Sequence, residues 1–167
     1  MKKITVLLVV LALFASTGAF SQKAKYAFIQ RDSILLNMPE MKAADAELNG
    51  FVTELQNEVI KMNTEYEQKI QDYEANQETM SDLVKENKVT EINDLQKRIQ
   101  DFQVQAQEEI LAKREELYTP VFDKFEKAVQ DVAKEKGYSA VFPANVALYF
   151  NPKDDITDLV KSKLNIN

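Results

Sequence analysis

Adjacent acidic residues are the side chains of this sequence whose types and spacing most resemble a catalytic or metal-binding group. They occur as Glu108-Glu109, Glu115-Glu116 and Asp154-Asp155. Paired carboxylates can hold a divalent cation or divide the roles of general acid and base. Neighbouring residues of a helix do not share a face, however, so such pairs do not converge on one ligand. We therefore interpret them as solvated or capping side chains.

The sequence also lacks the residues that most other catalytic and metal sites require. The sequence has no Cys and no His, so it offers no thiol nucleophile, no imidazole base and no thiolate or imidazole ligand for zinc. It also has no glycine-rich phosphate loop. We predict a protein that is not an enzyme, needs no cofactor or metal, and acts by binding.

The N-terminus has the three parts of a secretory signal peptide. Two lysines precede the apolar run Ile4–Phe14, and the small residues Ala19 and Ser21 fit a cleavage site before Gln22. An uncleaved anchor is the weaker alternative, because the run is short for a membrane span of about 20 residues. The prediction is a signal peptide over residues 1–21 and export to the periplasm.

The charge of the chain argues against broad electrostatic partners of negative charge. Its net charge is -6, and loss of Lys2 and Lys3 with the signal peptide would make it -8. Nucleic acid is therefore not an expected partner. Contact with a membrane surface is neither predicted nor excluded. An acidic chain has no general electrostatic attraction to anionic lipids.

A short strand opens the mature chain, within a segment that we place at residues 22–38. The run KYAFIQ, Lys25–Gln30, is rich in β-formers and puts Tyr26 and Phe28 on one face. A brief helical turn should follow over residues 34–36, with Asp32 or Ser33 as its cap.

Two long apolar series then predict a helical hairpin, or arm, over residues 39–119. Their steps of three and four keep one seam facing a partner helix. The members are Leu48, Val52, Leu55, Val59, Met62, Tyr66, Ile70 and Tyr73, then Ile92, Leu95, Ile99, Phe102, Ala106, Ile110, Leu117, Val121, Phe125, Ala128 and Val132, with Phe51 and Ile60 beside the first. Pro39 suits a first helical position. The turn should lie at 77–82 or, alternatively, at 87–90.

The closing segment, residues 120–167, predicts the end of the second helix, two strands and a final helix. Pro120 should kink or end one helical segment, and Gly137 should form a left-handed C-cap. The runs YSAVF and VALYF read as strands joined by a hairpin turn at residues 143–145. Asp155 should cap the last helix, whose apolar face should consist of Ile156, Leu159, Val160 and Leu164.

Three short strands sharing one base cannot cover their aromatic side chains within one chain. We therefore predict an obligate oligomer in which copies combine into a closed β body. Its predicted core residues are Tyr26, Phe28, Val141, Phe142, Leu148 and Tyr149.

The stretch VAKEKGYSAVF, followed by ALYFNPKDDIT and an apolar helix, resembles the Skp (OmpH-like) family of periplasmic chaperones. The resemblance extends over essentially the whole mature chain. It implies a mainly helical α+β fold and a jellyfish-like homotrimer with a small β body and three hairpin arms around a cavity. It also implies a holdase that binds unfolded outer-membrane proteins without ATP.

The arms differ from those of the best-known members, which are strongly basic. In this sequence we interpret the basic residues nearest the turn as a solvated helix face: Lys85, Lys88, Lys97 and Arg98. We therefore assign no lipopolysaccharide-binding residues by resemblance to the family. Possible client contacts are Met62, Tyr66, Tyr73 and Phe102, although a place in the hairpin seam explains them better. The rival functional hypothesis is a structural coiled-coil scaffold or spacer of the cell envelope.

Overall fold

The computed structural model describes residues 24–166, so the predicted signal peptide lies outside the described residues. Within these residues, four helices, two strands and two 3-10 turns follow one another. Strand β1 is Tyr26–Ile29 and strand β2 is Ala140–Pro143; the helices are α1, Arg31–Leu35; α2, Pro39–Asn76; α3, Asp82–Lys136; and α4, Thr157–Leu164; the 3-10 turns are Ala144–Val146 and Pro152–Asp154. The fold is mainly helical, with one small sheet, as predicted. No helix in residues 24–166 has a stretch long and apolar enough to cross a membrane.

Helices α2 and α3 form the predicted antiparallel hairpin. Pro39 begins α2, where its missing N–H costs nothing, and the turn occupies residues 77–81. The earlier of the two predicted turn positions is therefore correct. A buried cluster of Met62, Leu95 and Ile99 lies on the seam. At 1.5 Å per residue, α2 extends for on the order of 57 Å.

Helix α3 continues through Pro120 without a break. The expectation that one helical segment ends at this proline is therefore wrong, whereas a kink stays a prediction. Pro120 has no N–H to donate to the carbonyl of Glu116, so one intrahelical hydrogen bond is missing there. The helix ends at Gly137, whose φ of 69° is left-handed, as predicted for a glycine C-cap.

The two strands lie side by side at the base of the arm. They pair in parallel, with Phe28 opposite Phe142, because the whole hairpin serves as the crossover between them. One face of this sheet packs on the helices. Val141 of β2 packs against this core while remaining partly buried. The buried core itself combines β1 and every helix: Ala27, Ile29, Ile34, Leu35, Met38, Met41, Ala44, Val121, Phe125, Ala128, Val132, Ile156, Val160, Leu164 and Ile166.

Three local expectations need correction. The first short helix begins at Arg31 rather than Ile34, and no side chain caps it, so neither Asp32 nor Ser33 has the predicted role. Leu159 is exposed, although it was expected on the apolar face of α4. Helix α4 packs through residues at intervals of four, and Leu159 falls outside that stripe.

The predicted third strand, residues 146–150, does not form within this chain. A 3-10 turn replaces the expected β-hairpin turn at residues 143–145 and directs the chain across the sheet. The second edge of β1 is already taken, because Ile156 donates its N–H to the carbonyl of Phe28 at 2.9 Å. The ring of Phe150 instead stacks on that of Phe28, with centroids 4.5 Å apart.

Candidate assembly and binding surfaces

The sheet has one aromatic face that the other residues of 24–166 leave open. Strand alternation places Tyr26 and Phe28 on this face, and parallel pairing adds Phe142 beside them. The Phe142 ring centroid lies 6.0 Å from that of Tyr26 and 6.1 Å from that of Phe28. Phe150 completes the group, which we call the aromatic face. Four rings thus meet at the base, and Tyr26 and Phe142 remain 50% and 41% exposed.

The segment that crosses the aromatic face is even more exposed. Leu148 is fully exposed, and Tyr149 and Val146 are exposed as well. Among the six predicted core residues of the oligomer, only Phe28 and Val141 are partly buried by the chain itself. Val141 packs against the helical core, so its burial has an explanation within one protomer. Of the other five, Tyr26, Phe28 and Phe142 lie on the aromatic face, and Leu148 and Tyr149 are exposed in the segment that follows β2.

A polar network fixes the junction between β1 and α4. Asp155 accepts the N–H of Thr157 at 2.9 Å, and the Gln30 side-chain amide donates to Asp155 at 3.2 Å. The hydroxyl oxygen of Thr157 accepts the backbone N–H of Gln30 at 2.9 Å. Burial raises the pKa of Asp155, but the hydrogen bonds from Thr157 and Gln30 outweigh it and hold that pKa below its usual value. The predicted cap is therefore one residue out: Ile156 is the N-cap residue of α4 and makes no side-chain cap bond, and Asp155 binds the first turn from the residue before it. Gln30 and Thr157 were missed.

The arm places the suggested client contacts mainly in its seam. Met62 is buried against Leu95 and Ile99, and Tyr66 and Phe102 pack on that cluster. Tyr73 is half-buried. The preferred interpretation of these residues as seam packing is consistent with this arrangement.

Sequence reasoning missed a different group of arm residues. The side chains of Ile60, Val104 and Leu111 are 62%, 62% and 61% exposed. Ile60 was expected to widen the seam, and the structure places it outside. The available sequence signal was their position off the seam period, where an apolar side chain has no partner helix to contact.

Polar contacts join the two helices of the arm near the base. The Tyr118 hydroxyl donates to Asp45 at 2.6 Å, and this bond, together with burial, raises the pKa of Tyr118. Lys113 lies 2.8 Å from Glu47, and the hydrogen bond raises the pKa of this lysine. Glu40 pairs with Lys124, which lowers the pKa of the carboxyl. These exposed pairs fix register more than they add stability.

The four basic residues Lys85, Lys88, Lys97 and Arg98 all lie on α3. Lys88 pairs with Asp72 at 3.2 Å, and Lys97 and Arg98 are exposed. Within residues 24–166, no group of three or more acidic side chains is placed to hold a metal ion. Binding through apolar and amide surfaces is what the geometry offers.

Comparison with known proteins gives a family for this architecture. The family described as outer membrane protein (OmpH-like) matches residues 25–164. An uncharacterised protein of Aquifex aeolicus (strain VF5) is 35% identical over 123 residues, which cover 68% of this chain and 76% of that protein. A crystal structure from Caulobacter crescentus CB15, assigned as an OmpH-like outer membrane chaperone, superposes with a TM-score of 0.76 at 18% identity. That match covers 85% of this chain and 84% of the other.

Proposed function

Because the chain belongs to the family of OmpH-like outer membrane proteins, we propose that it is a periplasmic holdase. In this proposal it binds unfolded outer-membrane β-barrel proteins after export and keeps them from aggregating, without ATP. Family membership supports a chaperone role in general. The specific activity, the location and the assembly are inferences from the shape and surfaces of the chain.

The observation that carries the proposal is the open aromatic face at the base of a long arm. A single chain leaves Tyr26, Phe142 and Leu148 in water, and such a cluster of apolar side chains marks an interface. We infer that three copies join through this face to form a homotrimer. The arms would then project together from one body and surround a shared space.

The arm suits a holdase because it is long, solvated and free of reactive groups. A holdase must contact many sequences weakly, so it needs exposed apolar and amide groups rather than one deep site. Exposed side chains such as Val104 and Leu111 provide contacts of this kind.

The test is an aggregation assay with the mature protein. An outer-membrane β-barrel protein diluted from urea should scatter less light when the protein is present, in proportion to the trimer added. The control is the double variant Phe142→Asp with Leu148→Asp, which should lose assembly and protection while retaining its helical circular dichroism. Absence of protection at every ratio would refute the holdase function and favour the scaffold alternative.

A further inference from the structure

The arm has two unlike flanks, and one of them carries the ion pairs between helices. Lys69 pairs with Glu91 at 3.2 Å, and Lys113 pairs with Glu47 at 2.8 Å. Lys88 pairs with Asp72 on the same flank. On α2, these residues lie within about 60° of one another at 100° per residue. This charged flank holds the helices in register.

The other flank contains an uncharged groove of about 280 Å³ between the two helices, which we call the amide groove. Gln56 of this groove is nine residues, or about 180°, from Glu47, and Gln107 is about 160° from Glu91. The groove therefore lies on the side of the arm away from the ion pairs. Its lining consists of Val52, Leu55, Gln56, Val59, Gln103, Ala106, Gln107 and Ile110.

The exposed apolar residues of the arm lie outside the lining of this groove, beside its glutamines. Ile60 follows Gln56 by four residues, and Leu111 follows Gln107 by four, so each lies next to a groove residue on its own helix. Val104 precedes Gln107 by three. The small side chain of Ala106 leaves space in the groove floor, and the exposed apolar side chains continue outward from the glutamines on both helices.

We propose that the amide groove binds extended, uncharged segments of an unfolded outer-membrane β-barrel protein. This deepens the proposed function and rests on it. Strands of such proteins alternate apolar and polar residues. The apolar side chains of a segment fit the floor and the exposed apolar side chains beside the groove, and the glutamine amides offer both donors and acceptors to its unpaired backbone. The lining contains no charged residue that would need a charged partner.

The size of the surface favours a client segment over the arm of a second copy. Ile60, Val104 and Leu111 together expose on the order of 300 Å², well below the roughly 800 Å² that each partner buries in a stable interface. The groove is therefore suited to weak and reversible contacts. If several arms each carry this groove, they would hold one client through several weak contacts, without a single high-affinity site.

The absence of native cysteine allows a direct test by site-specific cross-linking. The mature protein would carry either Gln107→Cys, in the groove, or Gln105→Cys, which lies about 200° further round the same helix. Both glutamines are exposed, so neither change should disturb the fold. Each cysteine is coupled to benzophenone-maleimide and irradiated with a urea-diluted outer-membrane β-barrel protein. We expect at least a fivefold higher yield of client adduct from position 107.

The outcomes separate this proposal from the holdase function. Equal yields, a higher yield at position 105, or adducts between copies instead of client adducts would overturn the groove assignment while wild-type protection remained. If the unmodified protein gave no protection, the proposed function itself would fail.

A second measurement uses matched triple variants. Ile60→Gln, Val104→Gln and Leu111→Gln should raise several-fold the protein needed for half protection. Leu83→Gln, Val84→Gln and Val89→Gln remove three exposed apolar side chains near the turn and should change it by less than twofold. Equal effects of the two triples would contradict the assignment.

Discussion

Replacement of Leu148 by alanine should weaken assembly far more than it weakens the protomer. Leu148 is fully exposed within one chain, so its truncation costs the isolated protomer almost nothing. If the proposed trimer buries it, each copy loses about 2 kcal/mol, the low end for a buried Leu→Ala change. Three equivalent copies lose about 6 kcal/mol, or roughly a 10⁴-fold change in the trimer equilibrium. The dissociation constant of a trimer has the units of concentration squared, so the protomer concentration at half assembly changes as its square root. This midpoint concentration should therefore rise by about a hundredfold.

Sedimentation velocity over a dilution series measures this midpoint directly, with a constant low urea concentration if the wild type remains assembled throughout. Leu83→Ala is the matched control, because Leu83 is also an exposed leucine but lies near the turn of the arm. It should leave the midpoint unchanged. A midpoint for Leu148→Ala that equals the wild type would show that this side chain stays in water, and the trimer inferred from the aromatic face would lose its main support.

Three further predictions concern the framework of the protomer. Asp155→Ala should lower the free energy of unfolding by about 1 kcal/mol at pH 7. The pKa of Asp155 is depressed in the folded protein, so the stability that Asp155 contributes is fully present above the unfolded pKa of about 3.9 and is lost as the pH falls through the folded pKa. Urea titrations should therefore show a smaller difference in the free energy of unfolding between wild type and Asp155→Ala at pH 3 than at pH 7. Gly137→Ala should lower the free energy of unfolding by about 1 kcal/mol, because an alanine is strained at this left-handed φ. Gly50→Ala lies in open space within α2 and should raise the free energy of unfolding by up to about 1 kcal/mol. Melting temperatures of the two variants that shift in the same direction would contradict this pair of predictions. Pro120→Ala restores an N–H to the helix and should slow hydrogen exchange around residue 120; unchanged exchange would argue against a weak point there.

The helical hairpin could be predicted from sequence because its pattern is long and redundant. Many apolar positions at steps of three and four define one seam, and Pro39 and Gly137 mark two helix ends by their own backbone chemistry. An error at one position does not change such a pattern. The strand β1 was also predictable, because its alternation of exposed and buried residues follows its aromatic residues.

The path of residues 146–150 could not be predicted, because several partners compete for the same short segment. The run VALYF has strand-forming residues, but pairing depends on which edge is free. Ile156 occupies the outer edge of β1, and the stacking of Phe150 on Phe28 draws the chain over the sheet. Neither contact leaves a periodic signal in the sequence.

The suggested client contacts on the arm were chosen by residue type, and residue type alone does not indicate exposure. Aromatic and methionine side chains suggested client contacts, yet Met62 lies in the seam because it obeys the seam period. Exposure depends on phase around the helix. Val104 and Leu111 are apolar residues out of phase with the seam, and that phase could have identified them from the sequence alone.

Charge gives the two ends of the molecule different tendencies in the proposed assembly. Residues 22–119 have twelve basic and twenty acidic side chains, whereas residues 120–167 are neutral. The neutral base can bring copies together without electrostatic cost. The acidic arms repel one another only when they approach within about 8 to 10 Å, the range over which salt leaves charges unscreened. Such repulsion would oppose contact between arms and leave each amide groove open to a client segment.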